Sequence, residues 1–128
     1  MIEVLPIQSK SEQEQICSLC NVDYNEILLA YGALIDDQLV GVCQFKITKQ
    51  GGIIFDLASV NIPNSFEVLF ILGRATLNFI DLCGVHEAYI HSPSFNEKLA
   101  TSIGFSKNND ENYYIDLTNF FNNPCQHK

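Results

Sequence analysis

Residues 56–85, DLASVNIPNSFEVLFILGRATLNFIDLCGV, run from an apolar strand through an Asn/Pro/Ser turn into a helix. Phe66, Leu69, Phe70, Gly73, Leu77 and Ile80 fall on one helical stripe, and Glu67, Arg74, Asn78 and Asp81 on another. Gly84 stands just past the last turn, where a glycine ends a helix. The spacing therefore predicts a helix over 66–83. A helix start after a strand offers free N–H groups and a positive dipole end, a place where small α/β proteins hold anions. This turn, however, carries no glycine and no cation, and it includes Glu67.

Upstream of the turn the apolar period is about two. ILLAYGALI (27–35), LVGVCQFKI (39–47) and GIIFDLASV (52–60) read as strands, separated by Asp36-Asp37-Gln38 and Thr48-Lys49-Gln50-Gly51. Short polar turns of this kind make hairpins, so the three strands form an antiparallel meander. Before it, IEVLPI (2–7) is a strand interrupted by Pro6, which suits an edge. Ser11 and Glu14 match a capping box for a helix running to Cys20. After Gly84, residues 86–91 read as a strand, 94–103 as a short helix and 111–117 as a last strand. The order β-α-β-β-β-α-β-α-β implies an α/β fold of the α+β kind, with a central mixed, mostly antiparallel sheet flanked by helices.

The chain has 128 residues, 47% of them hydrophobic, with no linker, repeat or low-complexity tract, so residues 1–128 are expected to form a single domain. No apolar run approaches the roughly 20 residues needed to span a bilayer. MIEVLPIQSK lacks a basic region followed by an apolar core, so no signal peptide and no membrane partner are expected. The net charge of −8 argues against nucleic acid as a partner, since such binding neutralises phosphates with Lys and Arg. A charged partner would be an amine.

Five cysteines, an odd number, fit a reducing, cytoplasmic setting with all thiols free. Cys17-x-x-Cys20 with Cys125-x-His127 has the spacing of zinc ligands. Cys17 and Cys20 also lie at i,i+3 with Ile16 and Leu19, where cysteine acts as a small hydrophobe, and on that reading no metal is held.

In this order the segments resemble the GNAT family of N-acetyltransferases over nearly the whole chain. YGALIDDQLVGVCQF is similar to the family's second and third strands, and FDLASVNIP to its fourth strand with a following proline. LGRATLNFIDLCGVHEAYI resembles its long helix, the closing glycine and the fifth strand. LATSIGF is similar to the closing helix with its Gly-Phe pair. The resemblance implies a GNAT-like acyl-CoA N-acyltransferase fold, with acetyl-CoA as co-substrate and a primary amine of a small molecule or peptide as acceptor. It further implies a monomer or homodimer.

The family's pyrophosphate loop, Gln/Arg-x-x-Gly-x-Gly/Ala, is degenerate here. Counted back from Gly84 its positions hold Asn64, Glu67 and Leu69; counted forward from Pro63 they hold Phe66, Leu69 and Ile71. The implied cofactor-binding residues are Leu57 and Ser59 on the splayed fourth strand, and Ser65, Phe66, Glu67, Val68, Leu69 and Phe70 at the helix start. Glu67 either faces outward as a first-turn acid or opposes the phosphates. Arg74, the sole arginine, reads as a solvated surface side chain.

The implied chemistry needs a base to free the amine and an acid for the departing thiolate. Asp56, an acid on the fourth strand, is the base candidate, with an outward-facing strand residue as the other reading. Ala100 stands where the family places its tyrosine, so Tyr113 or Tyr114 on the last strand is the candidate acid. His86 and His91 sit at opposite ends of the fifth strand. Only one helix precedes the meander where the family generally has two, which implies a small or open acceptor site. The alternative function is a non-catalytic binding module that keeps this fold without the cofactor.

Overall fold

The computed structural model describes residues 1–91, 95–108 and 112–121. Its elements are β1 (Ile2–Pro6), α1 (Lys10–Leu19), β2 (Leu29–Ile35), β3 (Gln38–Thr48), β4 (Gly51–Ser59), α2 (Ser65–Leu82), β5 (Glu87–Ile90), α3 (Glu97–Ile103), β6 (Ser106–Lys107) and β7 (Tyr113–Asp116). The strands form one seven-stranded sheet in the order β1-β2-β3-β4-β5-β7-β6. Only the β4–β5 pair is parallel; the rest are antiparallel, giving the expected mixed sheet.

The β2–β3 turn is tight because Asp36 and Asp37 both adopt positive φ, 51° and 66°. That backbone matches a type I′ turn, whose twist suits the flanking strands. The third strand of the meander, β4, lies at the sheet centre. α2 lies across β2, β3 and β4. Its Val68, Leu72, Leu77 and Ile80 are fully buried in the main core, each contributing about 1.5–3 kcal/mol through removal of apolar surface from water.

This buried face differs from the expected stripe at the helix start. Val68 and Leu72 turn inward, whereas Phe66 is exposed and Leu69 and Phe70 are half-buried. The first turns of α2 are apolar nearly all round, so periodicity leaves the rotation open and the sheet decides it. The consequence is functional, because Phe66 and Leu69 become free to line a cavity. Gly73 sets the approach of α3 to α2: a Cβ there would lie 2.6 Å from Ile103 Cδ1.

Other boundaries differ for local reasons. Ser9, not Ser11, caps α1: its Oγ accepts the Glu12 N–H at 3.2 Å, an overlapping Ser-x-x-Glu motif two residues earlier. β2 starts at Leu29 because Asn25 Oδ1 accepts the Ile27 N–H and Asn25 O the Leu28 N–H, holding 25–28 in a turn. α3 starts after Asn96, whose Oδ1 caps the Leu99 N–H, and not at residue 94. Residues 92–94 lie outside the described residues. The short strand β6 pairs with β7 and has no counterpart in the sequence reading.

Arg74 is half-buried and structural, contrary to its reading as a solvated side chain. Its Nε donates to Ile103 O at 2.5 Å, satisfying a carbonyl at the end of α3. The guanidinium lies 4.9 Å and 5.0 Å from the ring centroids of Phe70 and Phe120. A planar cation with rigid donors serves such a stacked, carbonyl-capping position better than lysine would.

Candidate functional site

The site begins with a bulge in β4. Gln44 pairs with Asp56, but the next β3 residue, Phe45, pairs with Ile54, so Phe55 is the extra residue. A bulge bends its strand and re-aims the neighbouring side chains. The parallel pairing of β4 with β5 ends at the same point, with Ile54 opposite Ile90 and the His91 N–H donating to Ile54 O at 2.9 Å. β5 ends at Ile90, while β4 continues to Ser59. Val60 N–H donates to Val40 O. By alternation along the antiparallel ladder, the N–H groups of Leu57 and Ser59 then point away from β3, to the β5 side of β4.

Two cavities meet at the bulge. One, about 700 Å³, is lined by Asp23, Tyr24, Asn25, Glu26 and Leu28 from the loop before β2, with Phe55, Asp56 and His91. The other, about 400 Å³, is walled by Leu57, by Ser65, Phe66 and Leu69 of α2, by Leu99 of α3, and by Val22 and Phe95. Phe55 and Asp56 belong to both. The first cavity is rich in carboxylates and has a single helix, α1, before it, so it is open, as the shortened sequence suggested. The second is lined mainly by apolar side chains, with Asp56, Ser65 and Asn96 supplying its polar surface. His91 stacks near Phe55, with ring centroids 4.5 Å apart, and joins the rim of the first cavity.

Asp56 is half-buried between them and not an outward-facing residue. Gln44 Nε2 donates to its Oδ2 at 2.7 Å. Burial pushes the carboxyl above the ordinary carboxylate range; the Gln44 hydrogen bond opposes this, Asp23 adds to it, and His91 opposes it. A raised carboxyl beside a cavity is the usual condition of a general base working near neutral pH.

The eight residues expected at the cofactor separate by position. Leu57, Ser65, Phe66 and Leu69 line the second cavity. Ser59 stands on the same strand and its Oγ donates to Val60 O. Glu67 is exposed and lines neither cavity. Val68 and Phe70 do not reach it either: Val68 is in the core and Phe70 lies under Arg74. Not every backbone amide of residues 65–70 is free at the helix start. Ser65 N–H donates to Ile62 O and Val68 N–H to Asn64 O, leaving those of Phe66 and Glu67 at the open helix start. Asn64 makes no side-chain cap there.

Neither tyrosine of the last strand joins the cavities. Tyr113 is buried, and Tyr114 packs against Tyr89 with centroids 5.2 Å apart. Both lie on β7, beyond β5 from the bulge, so sheet order separates them from Asp56. Tyr24, which the sequence did not single out, is the tyrosine on the first cavity, and burial first, then Glu26, pushes its phenol up. Ala100 is fully buried. His86 lies at the far end of β5, its Nδ1 2.5 Å from Asp81 Oδ1.

Cys17 and Cys20 are buried, and burial raises both thiols to about 11. Cys17, Cys20, Cys43 and Cys83 are free thiols. Cys125 and His127 lie outside the described residues. No helix among the described residues is long and apolar enough to cross a membrane.

No protein-family model matches the chain, and no curated protein matches it. Solved structures do. An N-acetyltransferase from Staphylococcus aureus Mu50 is similar at 14% identity and TM-score 0.70, covering 93% of this chain and 99% of that one. The PaiA N-acetyltransferase from Thermoplasma acidophilum, solved in complex with coenzyme A, is similar at 13% identity and TM-score 0.67, covering 89% and 96%. The ribosomal-protein-S18-alanine N-acetyltransferase from Escherichia coli is similar at 11% identity and TM-score 0.67, covering 89% of each. At these identities the likeness establishes the fold, which is that of the GNAT acyltransferases.

Proposed function

We propose that this chain is an N-acetyltransferase that moves an acetyl group from acetyl-CoA to a primary amine. The observation that carries the reading is the bulge at Phe55 of β4, next to the last β4–β5 pair, which leaves Asp56 shared by an acidic cavity and a more apolar one. The apolar cavity suits the pantetheine arm and thioester of acetyl-CoA as co-substrate. Leu57, Phe66 and Leu69 line its path, and the N–H groups of Leu57 and Ser59 face that side to hold a thioester carbonyl. The start of α2 offers the Phe66 and Glu67 amides and the Ser65 hydroxyl to a phosphate, without the glycines that would let more backbone approach. Coenzyme A bound in the similar Thermoplasma protein supports this assignment.

The acidic cavity takes the amine. Asp23, Glu26 and Asp56 favour an ammonium group, in keeping with the net charge of −8. Asp56 accepts a proton from the ammonium, and the freed amine attacks the thioester carbonyl. The oxyanion is held by backbone N–H groups on β4, the C–S bond breaks to release the thiolate, and the second proton of the attacking nitrogen passes through solvent to that thiolate while Asp56 returns its own proton to solvent. No covalent enzyme intermediate forms.

The test is release of free coenzyme A thiol from acetyl-CoA with 1,4-diaminobutane as probe amine. Wild type should turn over, with the acid limb of kcat/KM above the ordinary Asp range because the Asp56 carboxyl is raised. Asp56→Asn should lose about 10²–10⁴-fold, the usual contribution of a positioned base. An Asp56→Asn variant with unchanged turnover would reject the assignment.

A further inference from the structure

Behind Asp56 a line of buried polar groups runs to the surface. Lys10 Nζ donates to Gln13 Oε1 at 3.1 Å, Gln13 Nε2 to Gln44 Oε1 at 2.9 Å, and Gln44 Nε2 to Asp56 Oδ2 at 2.7 Å. Both glutamines are fully buried, in a region otherwise filled by Ile16, Cys17, Ala30 and Val42. An apolar pair at 13 and 44 would fill the same space without the cost of burying two amides.

The direction of the line is fixed at both ends. An amide can be turned around only if its partners allow it. Gln44 Oε1 also accepts the backbone N–H of Asn25 at 3.2 Å, which only donates, so its Nε2 must face Asp56 and Asp23 O. Gln13 Oε1 faces the Lys10 ammonium, which only donates, and that ammonium is itself held by Leu28 O at 2.7 Å. The two amide dipoles therefore align, positive ends toward Asp56. Gln44 Nε2 has no lone pair to receive a proton, so a proton taken up by Asp56 goes to Oδ1, the oxygen Gln44 leaves free.

We propose that Lys10, Gln13 and Gln44 form a directional relay that holds Asp56 as a carboxylate with Oδ1 presented to the cavity, making Gln44 a positioning residue for the base. Its bearing on catalysis rests on the acetyl-transfer reading; the relay itself does not. The same side chains tie Asp23 and Asn25 to β3 through Gln44, and Asn25 and Leu28 to α1 through Gln13, so the loop that walls the acidic cavity is set by the groups that set the base. Other groups face Asp56 from each side. Asp23 and Glu26 come from the loop and His91 from the end of β5. Cys17 comes from α1 and Cys43 from β3, with thiols raised to about 11 and about 12 by burial and so neutral. Against burial and the Asp23 carboxylate, the Gln44 end of the relay and His91 are what favour the charged form.

The experiment is a carboxyl ¹³C NMR titration of Asp56 in the full chain without acetyl-CoA. Gln44→Met keeps the volume and removes the donor. It should raise the Asp56 proton affinity about 10- to 100-fold, the worth of one hydrogen bond to a charged group. Lys10→Met, at an exposed position, should raise it about two- to fivefold. A Gln44→Met midpoint within about threefold of wild type overturns the proposal. Should that variant fail to fold, an unchanged midpoint in Lys10→Met overturns it alone. With acetyl-CoA and 1,4-diaminobutane, the acid limb of kcat should move with the titration while KM for acetyl-CoA stays put. A wild type without turnover would remove the acetyl-transfer reading and leave the titration to decide the relay.

Discussion

Replacing Glu67 by Gln measures how the start of α2 meets a phosphate. Glu67 is exposed in the first turn and lines neither cavity, while its own amide stays at the open helix start. A carboxylate turned to solvent interacts with a phosphate ~8 Å away at nearly the dielectric of water, about 0.5 kcal/mol per charge pair, a twofold effect. The same carboxylate turned inward, at ~5 Å and an effective dielectric near 20, would cost roughly 3 kcal/mol, about a hundredfold. Removing the charge also removes a favourable interaction with the helix dipole, ~0.3–1 kcal/mol of stability. Calorimetric titration of coenzyme A into wild type and Glu67→Gln should therefore give dissociation constants within about threefold, with a slightly lower melting temperature for the variant. Tightening by tenfold or more would place Glu67 against the phosphates and refute the outward reading.

Two further outcomes follow from packing. Arg74→Ala removes the donor to Ile103 O and the cation between Phe70 and Phe120; thermal unfolding should show a loss of about 1–3 kcal/mol, and Arg74→Lys should recover only part of it. In native protein Cys83, which is exposed, should react with iodoacetamide before Cys17, Cys20 and Cys43, whose buried thiols are raised to about 11, 11 and 12; peptide mass mapping under non-reducing conditions reads both the order and any disulfide, and early labelling of Cys17 would contradict the packing.

The meander was legible because its three strands alternate and its turns are short and polar, and α2 because the period changes at Pro63. Asp56 could be placed on β4 from pattern alone. Its relation to two cavities could not, since that depends on a one-residue bulge at Phe55 that no local signal marks. The rotation of α2 was likewise hidden, because a helix start with Phe66, Val68, Leu69 and Phe70 is apolar on every side and the sheet selects Val68 and Leu72. Tyr113 and Tyr114 were candidates by residue type, and strand order removes them from the site.

Gln44 did leave a trace in the sequence. It is a polar residue inside the apolar run VGVCQF, where a buried amide requires partners. Those partners come from α1 and from the loop before β2, distant in sequence, and only the folded chain brings them together. Arg74 carried no such trace, since its partners Ile103 and Phe120 lie on other elements.

The proposed reaction requires acetyl-CoA to enter the cavity between β4 and α2, and a backbone amide NMR titration with acetyl-CoA tests that directly. Saturable shifts should appear at Leu57, Ser59, Phe66, Glu67 and Leu69, with Tyr113 and Tyr114 unaffected. Absence of shifts at these residues at millimolar acetyl-CoA, or shifts confined to another face of the sheet, would contradict it.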